Sequence, residues 1–524
     1  VDGLPLALEL AAVRMKTLSP SDLAQHLGHR LNVLNRGSQN LPRRHQALRE
    51  TITWSHNLLT SDQQATFAGF SVFVGGANLD SVAAVLFDGD QLAALDAMTD
   101  LLDQSLLVRV DEAAGNVRFQ MLETIREFAA EQLATSGNHE SIAQRHADHF
   151  LMIAEEGENA LIEPDQVAWM KRLEADYGNL RAAISCHLNR EDAERSQRMS
   201  SALWRFWAAS GRLREARELL NSALTLDPDA INPLRARALI RGGNASLDIG
   251  QIECAKDLYI QAERQYALSN DQVGRARANM GLGNVLRNLG EYEQAVSVIQ
   301  AAIDVWQANR QTHELGIAHL AIAIANMGAG DLEGSRGSLT MATSLTKTHT
   351  QLAYIRYWNG WLNILEENYS DAKASFQEAV ILFKESADQV GEGMALCGIS
   401  GAVMFSQGWN RKAHDCLERS LLIRDEIGDV SGVIESLEFF AIGCHIAQPD
   451  VRTTALTLAD NWRNENQVAL LPGIQPRLDE TRNGLKLILE QGGHQGGPVR
   501  LPIEKVLQMV YAELSYSRRA VIVD

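Results

Sequence analysis

The chain has 524 residues, 45% hydrophobic and 22% charged, which is enough for several domains with sizeable cores. Its net charge of −18 disfavours binding to nucleic acid or to anionic membranes. Five cysteines are scattered singly, which is typical of reduced thiols rather than of disulfides or a zinc site. Since neither a signal peptide nor an apolar run of about 18 residues is evident, we expect a cytoplasmic protein.

Residues 1–41 are predicted to be helical. They open with Gly3-Leu4-Pro5-Leu6-Ala7-Leu8, and the later segment Ser19-Pro20-Ser21-Asp22 offers a cap for a further helix. The first residue is Val1 rather than a methionine, which suggests a fragment of a longer protein.

Residues 42–137 are predicted to form a winged-helix domain. Helices are expected around Leu48–Leu59, after Ser61 and over Leu92–Leu102. A β-hairpin is expected over residues 105–110 and 117–121, with its turn at Ala114-Gly115-Asn116. Residues 43–137 hold six arginines, no lysine and thirteen acidic residues. DNA readers concentrate positive charge on the docking face, so a packing or regulatory role is favoured over DNA reading.

Residues 138–195 are predicted to be a helical connector. His146 and His149 are three apart on a helix, a spacing that can hold a metal. A packed helix face explains the pair as well, and we predict no metal site.

Small residues recur with a period near 40 over residues 196–446. Gly211, Gly250, Gly290 and Gly330 are followed, five residues later in each case, by a small residue, and that series continues to Ala413. A second small residue follows seven positions further on. Antiparallel helices approach closely only where side chains are small, so the pattern predicts tetratricopeptide (TPR) helix pairs stacked into an α-solenoid. The fold class is therefore mainly α, with a winged helix before the solenoid.

The concave groove of this solenoid is predicted to bind a partner. Its polar end should carry asparagines and charged residues, and its floor should be aromatic, which suits a peptide or a partner helix. The predicted groove residues are Arg237, Asn244, Asp248, Arg277, Asn284, Arg287, Asn288, Tyr354, Tyr357 and Trp361. The alternative is that the aromatic residues only seal neighbouring repeats. Residues 447–524 are expected to form a helical cap.

Two motifs carry a resemblance to a known family. Residues Gly3 to Leu8 look like the GLPLAL motif of STAND-class (NB-ARC-like) regulatory ATPases, and the segment from Met121 to Ala129 resembles that family's winged helix. Residues 145–147 and 173–183 are similar to the connector of AfsR- and LuxR-type bacterial transcriptional regulators with TPR arrays.

The resemblance implies roles for a few positions. Pro5 matches a proline that packs near adenine, and Met121, Leu122 and Glu123 align with a Met-His-Asp switch motif whose histidine reaches ADP. Leucine cannot donate a hydrogen bond to phosphate. The chain contains no GxxxxGK[S/T], so the cradle for the phosphates is missing. We therefore expect no cofactor and no catalysis in this chain, with ATP or ADP bound by an upstream nucleotide-binding domain.

Together these observations favour the sensing and protein-interaction region of a STAND-type transcriptional regulator. A protein, peptide or small inducer in the groove would shift the array against the winged helix and release the nucleotide domain. Two alternatives stay open, a TPR scaffold without a switching role and an ATP-binding protein in its own right.

Overall fold

The structure, a computed structural model, describes residues 52–53, 55–111, 117–161, 166–346, 348–466, 468, 470, 473–491 and 501–520. The chain folds into two compact units. One takes the described residues up to Glu156 together with Lys171–Arg195, and the other takes Gly157–Met170 and the residues from Ser196 onward. Both are mainly helical, which confirms the predicted fold class.

The first elements in chain order form the winged helix and the segment that follows it. They are α1 (Ser61–Phe70), β1 (Ala77–Asn78), α2 (Leu79–Leu86), α3 (Gln91–Asp103), β2 (Val108–Asp111), β3 (Val117–Gln120), α4 (Glu123–Thr135), α5 (His139–Ala160), α6 (Gln166–Ala175), α7 (Tyr177–Asn189) and α8 (Ala193–Ala209).

The remaining helices form the repeat array and its cap. They are α9 (Leu213–Thr225), α10 (Pro233–Asp248), α11 (Ile252–Leu268), α12 (Gln272–Asn288), α13 (Tyr292–Ala308), α14 (Thr312–Ala329), α15 (Leu332–Leu345), α16 (His349–Leu365), α17 (Tyr369–Glu385), α18 (Gln389–Gln407), α19 (Arg411–Glu426), α20 (Val430–Gly443), α21 (Pro449–Asn466), α22 (Gln475–Gln491) and α23 (Ile503–Ala520).

The winged helix contains the helices predicted after Ser61 and over Leu92–Leu102, the strands of the predicted hairpin, and two elements that the sequence analysis missed. The helix predicted around Leu48–Leu59 lies partly outside the described residues. Strand β3 pairs with β2 as the expected hairpin and also with the short strand β1, so the sheet order is β1-β3-β2. Helix α2 is the second missed element. Its N-cap is Asn78, whose side-chain oxygen accepts the backbone N–H of Ser81. The predicted turn at Ala114-Gly115-Asn116, like residues 1–41 with Pro5, lies outside the described residues.

The repeat pattern is confirmed by the packing of the array. Each helix from α9 to α20 packs on the next, and the even-numbered helices also pack on one another, so they form the inner layer. The small residues of the two series that follow the turn glycines are all buried, among them Ala216, Ala255, Ala295 and Ala372. Gly360 shows why: a Cβ there would lie 2.6 Å from the ring of Phe376 on the neighbouring helix.

The array closes on itself. A Cβ on Gly211, in the turn before α9, would lie 2.5 Å from Cβ of Ile427, in the turn before α20. One on Gly250 would lie 2.8 Å from the ring of Trp462 on α21. The first repeats therefore contact the last ones. A closed turn of superhelix replaces the open groove that the sequence predicts.

Helices α21 to α23 pack on the last repeats. Helix α23 packs on α19, and the ring of His414 hydrogen-bonds the carbonyl oxygen of Leu514 at 2.9 Å. Within the described residues, no helix is both long and apolar enough to cross a membrane.

Candidate functional site: the central cavity of the repeat array

The inner helices enclose a cavity of about 560 Å³. Helices α8, α10, α12, α14, α16, α18 and α20 all contribute side chains, and the lining also includes Leu161, Gln166 and Met170. A cavity of roughly 300–1,000 Å³ is the size that holds a small molecule. An α-helix, about 10 Å wide with its side chains, needs an open groove instead.

Half of the predicted groove residues line this cavity. Asp248 lies at the end of α10, Asn284, Arg287 and Asn288 on α12, and Tyr354 on α16. The residues on α12 recur at helical spacing, which places them on one face. These five residues therefore border the same space.

Arg237, Asn244 and Arg277, also predicted for the groove, are occupied by contacts outside the cavity lining. Arg237 forms an ion pair with Glu158, and Arg277 pairs with Glu314 at 2.8 Å. The side-chain oxygen of Asn244 accepts a hydrogen bond from the hydroxyl of Tyr259 at 2.7 Å. The similarity of Asn244 to Asn284 in the repeat therefore does not extend to their roles.

Tyr357 and Trp361 are core residues, which corrects their assignment to the groove floor. Both are 0% exposed. Their rings lie 5.6 and 5.9 Å from the ring of Phe376, and Trp361 also lies 6.0 Å from Phe439. They seal neighbouring repeats, the alternative that the sequence left open.

Several cavity residues were missed by the sequence analysis. Arg205 and Trp204 come from α8, His313 from α14, Trp358 from α16 and Glu435 from α20. The repeat glycines do not set the register of α8, so the pattern gave no signal for Arg205. Trp358 directly follows Tyr357, and only the helix register decides which ring reaches the cavity.

Asp248 is an isolated carboxylate in this cavity. Its side chain is exposed to the cavity space, and no described residue donates a hydrogen bond to it or forms an ion pair with it. Burial, with the nearby charge of Asp429, raises its pKa to about 7, although the cation of Arg287 acts in the opposite direction. Asp248 is thus a carboxylate whose charge depends on its surroundings near neutral pH.

Two arginines in the cavity likewise have no partner for a hydrogen bond or ion pair among the described residues. Burial lowers the pKa of Arg287 to about 10, and it lowers that of Arg205 against the attraction of Glu158 and Glu314. Arg287 stays charged at neutral pH. Charged groups held away from bulk water are costly unless an opposite charge meets them.

Asp388, by contrast, is fully used by the fold. Its carboxylate accepts the backbone N–H of Gly391 at 2.8 Å, which caps α18, and the hydroxyl of Tyr354 at 3.1 Å. Burial raises the pKa of Asp388 to about 6.

The switch-motif positions of the winged helix serve packing and helix capping. Met121 is buried, and Leu122 is the N-cap of α4 without a side-chain hydrogen bond. Both oxygens of Glu123 accept hydrogen bonds from Arg126, at 3.0 and 2.5 Å. The acidic residue is thus engaged within its own helix.

The connector motif clamps the glycine turn before β1. Asn179 accepts the N–H of Val74 at 2.7 Å and donates to the carbonyl of Gly76 at 2.9 Å. His146 lies 3.2 Å from the same Asn179 oxygen, and burial lowers its pKa to about 4, so it is neutral and donates from Nε2. His146 therefore serves packing. We call His146, Asp176, Gly178 and Asn179 together the connector clamp.

Comparison with known families agrees with this architecture. Residues 59–134 match the family described as "Winged helix-turn-helix domain", and residues 276–305 match "Tetratricopeptide repeat". The chain carries a winged helix-turn-helix domain and a tetratricopeptide array.

The curated relatives are mycobacterial. A provisionally named HTH-type transcriptional regulator of Mycobacterium tuberculosis (strain ATCC 25618 / H37Rv) is 35% identical over 226 residues, 43% of this chain and 25% of the relative. An equally similar protein occurs in Mycobacterium bovis. An uncharacterized protein of M. tuberculosis is 34% identical over 154 residues, 28% of this chain and 38% of the relative. The match to this winged-helix and TPR chain thus spans about a quarter of the named regulators.

Two solved structures are similar to the chain at low sequence identity. A Rap protein complexed with competence and sporulation factor has 13% identity and a TM-score of 0.47, covering 72% of this chain and 99% of that one. A STAND protein with a tetratricopeptide repeat sensor from Pyrococcus horikoshii has 13% identity and a TM-score of 0.36, covering 94% and 74%.

Proposed function

We propose that this chain is the sensing region of an HTH-type transcriptional regulator and that a small effector binds in the central cavity of its TPR array. The observation that carries the proposal is the set of charged side chains, Arg205, Asp248 and Arg287, that face the cavity without a hydrogen-bond or ion-pair partner among the described residues. A ligand of complementary charge would offset their desolvation.

Closure of the array gives the effector something to control. A ligand held by helices from both ends of the superhelix favours the closed arrangement, and it shifts the population only by its difference in affinity for the two arrangements. Gly211 approaches Ile427 and Gly250 approaches Trp462, and these contacts would form in the closed arrangement that the ligand favours.

A thermal-shift screen of small metabolites on the full chain tests the proposal. A cavity ligand should raise Tm, and Ile324→Trp, which fills the cavity, should abolish that shift. Ile381→Trp on the outer helix α17, where Ile381 is 58% exposed, is the matched control. Ligands that still bind the filled cavity would contradict the proposal.

The nucleotide switch remains a second part of the proposal and rests on the resemblance of residues 3–8 and 121–129 to STAND ATPases. We propose that nucleotide is bound by a separate domain. Titrating labelled ATP and ADP onto this chain should reveal no sub-millimolar binding. Tight binding would favour the ATP-binding alternative, and a cavity without any ligand would favour the scaffold.

A further inference from the structure

One end of the cavity is basic. Arg205 lies near Arg237 and Arg241, and the carboxylate of Glu158 forms ion pairs with Arg237 and Arg241. Arg277 and Glu314 balance one another beside them. Arg205 is the member of this group that faces the cavity and has no hydrogen-bond or ion-pair partner in the described part of the chain.

His313 adds a donor at the basic end. Thr346 donates to the amide oxygen of Gln351, which leaves the amide nitrogen to donate to Nδ1 of His313 at 3.3 Å. Burial lowers the pKa of His313, so the ring is neutral and carries its proton on Nε2. No described residue accepts a hydrogen bond from that nitrogen.

The other end of the cavity is acidic. Asp248, Asp388, Asp429 and Glu435 all line it. Arg287 lines the cavity near Asp248, and Arg424 pairs with Glu435 at 3.1 Å and lies 3.7 Å from Asp429. One oxygen of Glu435 is buried without a donor among the described residues. Carboxylates therefore exceed cations at this end.

The spacing of residues on α10 indicates how far apart the two ends are. Arg241, at the basic end, and Asp248, at the acidic end, lie seven residues apart on α10, which is about 10 Å along one helix face. Met280, Leu320, Ile324 and Trp358 line the cavity between the two ends.

We infer that the effector is a compact zwitterion with an apolar middle, whose carboxylate binds Arg205 and His313 and whose ammonium group binds Asp248 and Glu435. This inference rests on the proposed function and specifies its ligand. The ligand could be a tripeptide with free ends, since three extended residues span about 10 Å, or an ω-amino acid of comparable length.

Other ligand classes leave part of the cavity unsatisfied. A polyanion such as a nucleotide would meet four carboxylates at the acidic end, and a polyamine would meet the arginines at the basic end. A neutral ligand would leave the charged groups of both ends desolvated and unpaired. Only a ligand with opposite charges at its two ends satisfies both.

Isothermal titration of the full chain with matched probes tests the inference. The first set of probes is 8-aminooctanoate, octanoate and octylamine. The second set is the tripeptide Ala-Leu-Ala with both ends free, with its amine acetylated, or with its carboxylate amidated. The zwitterion in either set should bind about tenfold to a hundredfold more tightly than its single-charge analogues, because each charge-assisted contact contributes that much. The better of the two sets distinguishes peptide from amino acid.

Variants assign each end. Arg205→Met should remove the preference for a free carboxylate, and Asp248→Asn should remove the preference for a free amine, while Arg205→Lys should retain the first preference. Arg264→Met and Asp257→Asn, on the exposed side of α11, are the controls.

The outcomes separate this inference from the proposed function. Equal affinity for single-charge analogues would overturn the zwitterion. The zwitterion inference would also be wrong if every probe failed to bind while other metabolites bound and lost that binding in Ile324→Trp. If no metabolite and no probe binds the cavity, the proposed function itself is wrong.

Discussion

Arg118 on β3 and Asp176 before α7 form a buried ion pair, 2.8 Å between guanidinium and carboxylate, with side chains only 5% and 3% exposed. The same guanidinium donates to the carbonyl oxygens of Gly75 and Gly76. The ion pair therefore joins the wing, the glycine turn and the connector clamp. Within this unit, the connector is a structural part of the winged helix.

Arg118→Met should lower the free energy of unfolding of the winged-helix unit by about 3–5 kcal/mol, because it leaves Asp176 buried and unpaired. Urea denaturation, with hydrogen exchange of the β3 amides as the local readout, measures the loss. Arg109→Met on the exposed side of β2 should cost less than about 0.5 kcal/mol. Equal effects of the two variants would refute the clamp.

Gly178 is required by a close approach to the glycine turn. A Cβ at this position would lie 2.7 Å from the carbonyl oxygen of Val74, a backbone atom that cannot move aside easily. Gly178→Ala should therefore cost about 1–3 kcal/mol. Gly337→Ala, in α15 where nothing lies within 4 Å of the added carbon, should instead stabilise its helix by about 0.5–1 kcal/mol. Thermal melts that shift in the same direction would contradict this account.

The winged helix should not bind DNA through α3. Its exposed positions include Leu92, Leu95, Asp96 and Asp103, and α3 contains no lysine or arginine. A helix with this face repels phosphate. Fluorescence anisotropy with duplex DNA should detect no binding at about 150 mM salt, whereas Asp96→Lys with Asp103→Lys should introduce weak, salt-dependent binding. Tight binding by the unaltered chain would show that the module reads DNA.

The sequence predicted the repeats well because their pattern reflects a local requirement. Helices such as α16 and α17 can approach only at small residues, so Gly360 and Ala372 recur at fixed offsets, and both are buried as expected. Closure of the array was not predictable in this way. Gly211 and Ile427 come together only after several repeats have added their rotations, and no local pattern records that sum.

The sequence also contains a repeated helix-capping motif that the repeat prediction did not include. Asp271, Asp388 and Asp429 each cap an inner helix by accepting the N–H of the glycine three residues later. These caps fix where the inner helices start and hence their register. With that register, Tyr354 could have been assigned to the cavity and Tyr357 to the core. The role of Asn179 was hidden for another reason, since its partners Val74 and Gly76 are distant in the sequence.

Core and cavity aromatics should respond differently to mutation. Trp361→Ala removes a fully buried ring that packs on Phe376 and should lower stability by about 3–5 kcal/mol. Tyr354→Phe removes only the hydroxyl bonded to Asp388 and should leave the fold intact while changing the affinity of a cavity ligand. Calorimetric Tm values and ligand titrations of both variants check this. If Trp361→Ala is as stable as the unaltered chain, the assignment of Trp361 to the core is wrong, and the predicted place on the groove floor is favoured instead.

Asp248 should make stability depend on pH. Its pKa is about 7 in the folded chain and near 3.8 when unfolded, so the folded state retains a proton that the unfolded state has lost between these values. The stability associated with Asp248 is complete below about pH 4 and decreases as pH rises through 7. Asp429, Arg287 and Tyr354 lie near the group, and its ionisation is unfavourable first because of burial and then because of the charge of Asp429.

Asp248→Asn should therefore flatten the pH profile of unfolding and gain relative to the unaltered chain above pH 7, because the amide never ionises. Urea denaturation between about pH 5 and pH 8.5 measures both curves. Asp257→Asn removes an equal charge from the exposed side of α11 and serves as the control. Since Asp388 also has a raised pKa, of about 6, part of the slope should persist in Asp248→Asn. If the Asp248→Asn curve stays parallel to that of the unaltered chain, the Asp248 carboxylate is not held in confined surroundings. The affinity of the cavity for an ammonium group depends on that confinement.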